Sequence, residues 1–180
     1  MGLLVQVRQA GPDKPHGRIR FVKTSIRRAV SSDAAELARL RSVMFEAMNV
    51  QVGDGNSLWL AETRDWFTHQ LATSDVAAFV AQTADGGLVA AALGRVTRTA
   101  PSPENPSGVS GQLSNVVTDP EYRRLGLSRA CVEQLLTWFR DLTDVNDVGL
   151  FATDTGTSLY ESLGFAVRPN AAMSLDIRRG

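Results

Sequence analysis

Apolar residues recur at two periods along this chain, and the switches between the periods mark its elements. After Ser32, the residues Leu37, Leu40, Met44 and Met48 return at helical spacing, and Ser32 with Glu36 close by supplies a start signal. A second helix is predicted over residues 57–72. Leu60, Phe67 and Leu71 fall near one face, with Trp59 and Trp66 seven residues apart beside them. Core packing is the ordinary role for such a tryptophan pair, and a substrate groove is the alternative. A third helix is predicted from Leu127 to about Leu142, with Leu127, Cys131, Leu135, Trp138 and Leu142 on one stripe. Continuous apolar runs lie between these segments. "SIRRAV" (25–30) reads as a short strand, and "VAAFVAQT" and "GLVAAALGRVTRT" flank the turn sequence "ADGG", a hairpin signal. "GQLSNVVTD" and "DVGLFATD" are further strands, and "TGTSLYESLG" is a short helix closed by Gly164 at the position after its C-cap. "FAVRP" and "AAMSLDI" read as the arms of a final hairpin. "NVQVGDGN" (49–56) and "APSPENPSG", with Pro101, Pro103 and Pro106, are loops.

The order is strand, two helices, three strands, helix, strand, helix, then one or two strands. That is an α/β chain with a mixed sheet rather than an alternating doubly wound one. Residues 1–23 stand outside the pattern. "QAGPDKPHGR" has no periodicity, so an N-terminal extension is expected there, loop or partly disordered, with a short strand compatible with residues 3–8. Lys14, Arg18, Arg20 and Lys23 make it a solvated basic tail. One domain, residues 24–180, follows.

Composition narrows the partners. Lys plus Arg and Asp plus Glu number 19 each, so formal net charge is zero and no global field favours nucleic acid. Any anion site must be local. The lone Cys131 permits no intrachain disulfide and reads as a core residue, which fits a cytoplasmic location. The N-terminal apolar run, residues 3–7, is too short for a signal or a membrane span, and Gln6 stands where a myristoylation signal needs Ser or Thr. Two histidines and one cysteine, widely spaced, form no ligand cluster, so no metal is expected. No Gly-x-Ser-x-Gly elbow is present.

The chemistry concentrates in "VVTDPEYRRLGLSRACVEQLL" (116–136), where a strand enters a helix through a glycine-containing turn. The first amides of a helix have no intrahelical acceptor, and the helix dipole adds partial positive charge. Together they suit a phosphate. Gly126 lets the backbone come close to an anion, Ser128 can donate a hydroxyl, and Arg123, Arg124 and Arg129 supply charge. The turn has neither the Lys of a P-loop nor the three glycines of a dinucleotide fingerprint. On these residues alone, an ordinary exposed helix start remains the other reading.

"TDPEYRRLGLSRACVEQLL" resembles the acetyl-CoA-binding segment of the GNAT superfamily of N-acetyltransferases. That pattern is Arg or Gln, two residues, Gly, one residue, then Gly or Ala, often after a Pro-Glu-aromatic turn. Arg123 and Gly126 take the first two positions, and Ser128 stands where Gly or Ala is usual. "SIRRAVSSDAAELARLR" resembles the family's first strand and helix, and "TSLYESLGF" (157–165) its second signature. The resemblance covers residues 24–177. It implies a mixed, mostly antiparallel central sheet flanked by helices, with two central strands splayed apart. It also implies that backbone amides of Val116, Val117 and Thr118, with Asp119 at the strand exit, meet the pantetheine arm and thioester of acetyl-CoA. The turn amides of Arg123, Arg124, Leu125, Gly126, Leu127 and Ser128 would hold the pyrophosphate. Arg129 either reaches a phosphate or is solvated.

The implied reaction is acetyl transfer from acetyl-CoA to a primary amine by direct attack, with Tyr160 as general acid. Tyrosine titrates at about 10 in water and so keeps its proton at neutral pH. The alternative is a CoA-binding or acyl-CoA-binding sensor without turnover. The base stays open among Glu46, Glu62, His69, Asp75, Glu104, Asp154 and a water chain, while His16 lies in the extension. The acceptor, a small amine or a protein amino group, is expected where the 49–56 loop, the proline-rich loop and the last hairpin meet. None of these is rich in acidic residues, which disfavours a polycation. A homodimer is compatible with the sequence.

Overall fold

The computed structural model describes residues 3–9, 20–55, 57–169 and 172–176. Contacts within the chain group it into two units, Met1–Leu150 and Phe151–Gly180.

The first unit is built on one six-stranded sheet whose spatial order follows the chain. Its strands are β1 (Leu3–Gln9), β2 (Arg20–Arg28), β3 (Val76–Thr83), β4 (Leu88–Arg98), β5 (Val109–Thr118) and β6 (Val148–Gly149). The first five pair antiparallel and β6 pairs parallel with β5, giving the mixed, mostly antiparallel sheet flanked by helices. β1 pairs along β2 from Leu3↔Ile26 to Gln9↔Arg20, so residues 3–9 of the expected extension form an edge strand. Residues 10–19 lie outside the described residues. The strand predicted at 25–30 starts earlier, at Arg20, and the one predicted across 147–154 shrinks to Val148–Gly149.

Three helices flank this sheet: α1 (Ala34–Ala47), α2 (Leu58–Gln70) and α3 (Leu127–Leu142). Alternation along each strand divides its side chains between two layers. On one face, Leu37 and Leu40 of α1 and Phe67 of α2 pack with Val76, Val80, Ala91, Leu93 and Val117. The other face is surfaced by small residues. A Cβ added at Gly94 would sit 2.8 Å from both Leu135 and Phe139 of α3, and one at Gly111 would sit 2.8 Å from Phe139. Ala77, Ala81, Ala90 and Ala92 are fully buried between and beside them. The bulk of that layer therefore comes from the helix, through Cys131, Leu135, Trp138 and Phe139. Leu142, on the same stripe by spacing, is exposed at the last turn. Among the described residues no helix is long and apolar enough to cross a membrane.

The second unit contains α4 (Asp154–Glu161). Among the described residues the final hairpin expected after it is not found: residues 165–169 and 172–176 carry no strand, and Val167, Met173 and Leu175 are exposed, while residues 170, 171 and 177 of the expected hairpin lie outside the described residues. Pro169 removes a ladder donor where the first arm would end, and a lone two-stranded hairpin is marginal by itself.

Candidate functional site

The site begins where the β4–β5 ladder breaks. Pairing runs from Arg98↔Val109 to Leu93↔Ser114 and resumes at Ala91↔Val117, so Asn115 and Val116 together oppose Ala92. This is a β-bulge, and Asn115 adopts the left-handed conformation (φ 50°) that asparagine tolerates better than most residues. The extra residue shifts the alternation by one. Ser114 and Asn115 both border the α1–α2 side, and Val117 returns to the core on that side. On its other edge β5 pairs with β6 only at Gly111 and Gln112. Among the described residues, no strand neighbours that edge from residue 113 to Thr118.

After Thr118 the chain makes a single 3₁₀ turn (Pro120–Tyr122) and then enters α3 through two left-handed residues, Arg124 (φ 62°) and Gly126 (φ 74°). Ala130 N donates to Gly126 O at 3.0 Å, so the amides of Leu127, Ser128 and Arg129 precede the helix ladder. A Cβ at Gly126 would meet nothing within 4 Å. The torsion, and not crowding, calls for glycine here, and its outer side is open. Three contacts brace the junction. The hydroxyls of Thr118 and Ser128 lie 2.6 Å apart, Arg123 Nε donates to Thr118 O at 3.2 Å, and Arg39 holds Asp119 with two bonds of 3.0 Å while also donating to Leu88 O at 2.7 Å. Arg123 and Arg124 are exposed. Arg129 lies 3.5 Å from Glu133 on its own helix. An amide-lined turn with arginines at its rim and open space at its glycine fits a diphosphate in charge and donor set.

On the α1–α2 side lies a cavity of about 450 Å³. Its wall includes Arg41, Trp59, Glu62, Trp66, Arg95 and Asn115. Arg41 Nη1 donates to Asn115 Oδ1, and its guanidinium lies 4.8 Å from the Phe45 ring centroid. Burial pushes the Arg41 guanidinium below its ordinary value. Asn115 is 8% exposed, and its buried Nδ2 has no hydrogen-bond partner. Trp59 Nε1 donates to Val52 O at 2.7 Å, which ties the 49–56 loop to the cavity wall. The tryptophan pair thus lines a groove. The proline-rich loop contributes nothing to that wall.

The structure separates the candidate bases. Glu62 stands on the cavity wall. Asp75 is held by Arg98 at 2.7 Å, His69 Nδ1 lies 2.7 Å from Asp65 O, Glu46 and Glu104 are exposed away from the wall, and Asp154 belongs to the second unit. Cys131 is fully buried, and burial pushes its thiol up to about 12, which makes it a core residue. Among the described residues no group of three or more His, Cys, Asp or Glu side chains gathers in metal-binding fashion.

Sequence reasoning missed Arg41, Arg95 and Asn115. Two of them left a trace. Arg41 is four residues after Leu37 and three before Met44, a charge set into the apolar face of α1. Asn115 stands inside the predicted strand "GQLSNVVTD", and asparagine is a residue that favours a left-handed kink.

In the second unit, Gly164 (φ 91°) closes α4. Phe165 N donates to Tyr160 O and Gly164 N to Glu161 O, each at 3.0 Å, the paired bonds of a Schellman motif with Gly164 where the sequence places it. Burial raises the Tyr160 phenol above its ordinary value.

A family model described as the acetyltransferase (GNAT) family matches residues 41–165. No curated protein matches the chain in sequence. Its fold is similar to that of a predicted acetyltransferase with acetyl-CoA from Clostridium acetobutylicum, with TM-score 0.76 and 19% identity over 87% of this chain and 98% of that one. It is also similar to a GCN5-related N-acetyltransferase from Ralstonia eutropha JMP134, with TM-score 0.69 and 24% identity over 84% and 98%. A third similar structure is glucosamine-6-phosphate N-acetyltransferase from Arabidopsis thaliana, with TM-score 0.63 and 19% identity over 86% and 98%. At these identities the likeness shows the fold alone.

Proposed function

The chain belongs to the acetyltransferase (GNAT) family, and on that premise we propose that it moves an acetyl group from acetyl-CoA to a primary amine by direct attack. The observation that carries this reading is the continuous path from a bulged strand edge, through the left-handed turn at Arg124 and Gly126, to the open amides at the start of α3. The likeness to a structure solved with acetyl-CoA supports the choice of donor.

Acetyl-CoA, when bound, supplies an activated thioester. The turn amides of residues 123–128, with Arg123 and Arg124 at the rim, hold its diphosphate. The backbone of Val116, Val117 and Thr118 orients its arm, and a strand amide polarises the acyl oxygen. On the acceptor side, Glu62 takes one proton from the amine as the C–N bond forms. As the C–S bond breaks, Tyr160 would give a proton to the sulfur; Glu62 would then release its proton to solvent while Tyr160 takes one back. Protons and bonds balance without a further reactant. Tyr160 is assigned from its signature sequence, and its raised titration point supports a phenol that stays protonated at neutral pH.

The test has two arms. Calorimetry with CoA should show binding, and Gly126→Val, which forces a β-branched residue to a φ of 74°, should weaken it by about tenfold or more. Thiol release from acetyl-CoA should then appear with at least one amine in a library. No heat with CoA would overturn the reading, and binding without thiol release for any amine would favour the sensor alternative.

A further inference from the structure

The cavity wall is unusual in its charge pairing. Arg27, Arg39 and Arg98 each have a carboxylate within 3.0 Å. Arg41 is half-buried, borders the cavity, and has no carboxylate partner among the described residues. Among the described residues its acceptor is Asn115 Oδ1. A guanidinium can only donate, so the Asn115 oxygen must face Arg41 and the amide nitrogen must face away. That nitrogen is the buried donor without a partner. The wall therefore offers one under-used donor group, the cationic and partly desolvated Arg41, while Asn115 Nδ2 beside it is buried. Leaving such a group unpaired is costly, and a bound anionic acceptor group relieves that cost.

The remaining wall restricts the anion's carrier. The polar atom of Trp59 is engaged by Val52 O, so Trp59 offers the cavity apolar surface, and Trp66 adds more. Arg41 and Arg95 against Glu62 leave the lining with one net positive charge, two minus one. A carboxylate with one negative charge matches that balance, whereas a phosphate with about two does not. A volume of about 450 Å³ suits a small molecule.

Building on the acetyl-transfer reading, we infer that the acceptor is a small amino carboxylate with an apolar side chain, its carboxylate received by Arg41, its side chain set against Trp59 and Trp66, and its amine turned to Glu62. Asn115 is a positioning residue that fixes the Arg41 fork. Polyamines and other polycations are excluded by the same wall.

The test compares L-leucine and L-phenylalanine with 3-methylbutylamine and 2-phenylethylamine, which have the same side chains without the carboxylate. Thiol release gives kcat/KM. Tryptophan fluorescence gives binding without turnover, since two of the three tryptophans line the cavity. At least one amino acid should exceed its decarboxylated partner by about tenfold to a hundredfold, the worth of a charge-assisted hydrogen bond. Arg41→Leu should collapse that ratio toward one, and Arg41→Lys should restore part of it. Calorimetry with CoA and a thermal melt on each variant report whether the fold is intact. Equal or better use of the plain amines, an unchanged ratio in a folded Arg41→Leu, or neither binding nor turnover of any amino acid would overturn the inference. Amino acids that bind through Arg41 without thiol release would uphold the anion site and defeat the transferase reading instead.

Discussion

The rings of Tyr160 and Phe165 meet edge to face, with 6.0 Å between centroids and 74° between planes. The contact joins Tyr160, whose carbonyl accepts from Phe165 N, to the residue after Gly164, which is where a Schellman closure places its apolar clasp. The signature "LYESLGF" is thereby a folding instruction. The glycine reverses the chain, the backbone bonds close the helix, and the phenylalanine fixes the tyrosine ring.

Gly156 lies one helical turn before Tyr160, and a Cβ there would come 3.2 Å from Tyr160 Cε2. Gly156→Ala should raise intrinsic helix stability by about 1 kcal/mol while pushing the ring aside. The expected outcome is opposite movement in two measurements: an unchanged or higher melting temperature, with a lower kcat for thiol release. A variant that is both more stable and fully active would show that the ring's position does not matter to turnover.

The hydroxyl pair of Thr118 and Ser128 links strand exit to helix start at 2.6 Å. Both side chains are partly exposed, so the link is worth about 0.5–1.5 kcal/mol at most. A double-mutant cycle of Thr118→Val and Ser128→Ala in urea should return a coupling energy in that range, and zero coupling would show that water replaces the bond. The single Ser128→Ala change also installs a residue usual at that position in the family pattern, and CoA affinity should survive it.

The strands and helices, and the left-handed glycine turn that leads into α3, could be read from the sequence because each rests on local chemistry. Helical periodicity found α1, α2 and α3, "ADGG" found the β3–β4 turn, and Gly126 and Gly164 sit at the left-handed positions their settings demand. What could not be read depends on pairing between distant segments. The bulge at Asn115 is a register event between β4 and β5. The Arg41–Asn115 bond joins residues 74 apart in the chain. The Trp59–Trp66 spacing points first to core packing, and the groove the pair lines shows only in the folded chain. The last hairpin was misread because "FAVRP" and "AAMSLDI" carry strand-like residues with no partner strand to hold them.

Arg27 grips Asp33 with two bonds of 2.7 and 2.8 Å, and Val30 N adds a third at 2.8 Å. The Arg27 guanidinium holds the Asp33 carboxyl below its ordinary 3.8. A depressed carboxylate contributes stability that is fully present above its unfolded value and is lost as pH falls through its folded one. Asp33→Asn should therefore be less stable than the parent at neutral pH. The gap should narrow as pH drops below about 4. Denaturation midpoints measured down to about pH 3 decide this, and a gap that stays constant with pH would show that Asp33 acts through its shape rather than its charge.

Tyr160 carries the last expectation. An acid must hold its proton to give it up, so activity that depends on the Tyr160 phenol declines only as pH rises through its titration point. Burial moves that point above the ordinary 10, so the alkaline limb of the parent enzyme should lie above that value. Tyr160→Phe removes the proton while keeping the ring and its contact with Phe165. It should lower kcat by about a hundredfold or more, the usual worth of a general acid. CoA affinity should change little, because the donors proposed for the diphosphate are the amides of residues 123–128 and not the phenol. A Tyr160→Phe enzyme with parental kcat and the same alkaline limb would reduce Tyr160 to a packing residue. The sulfur's proton would then have to come from water.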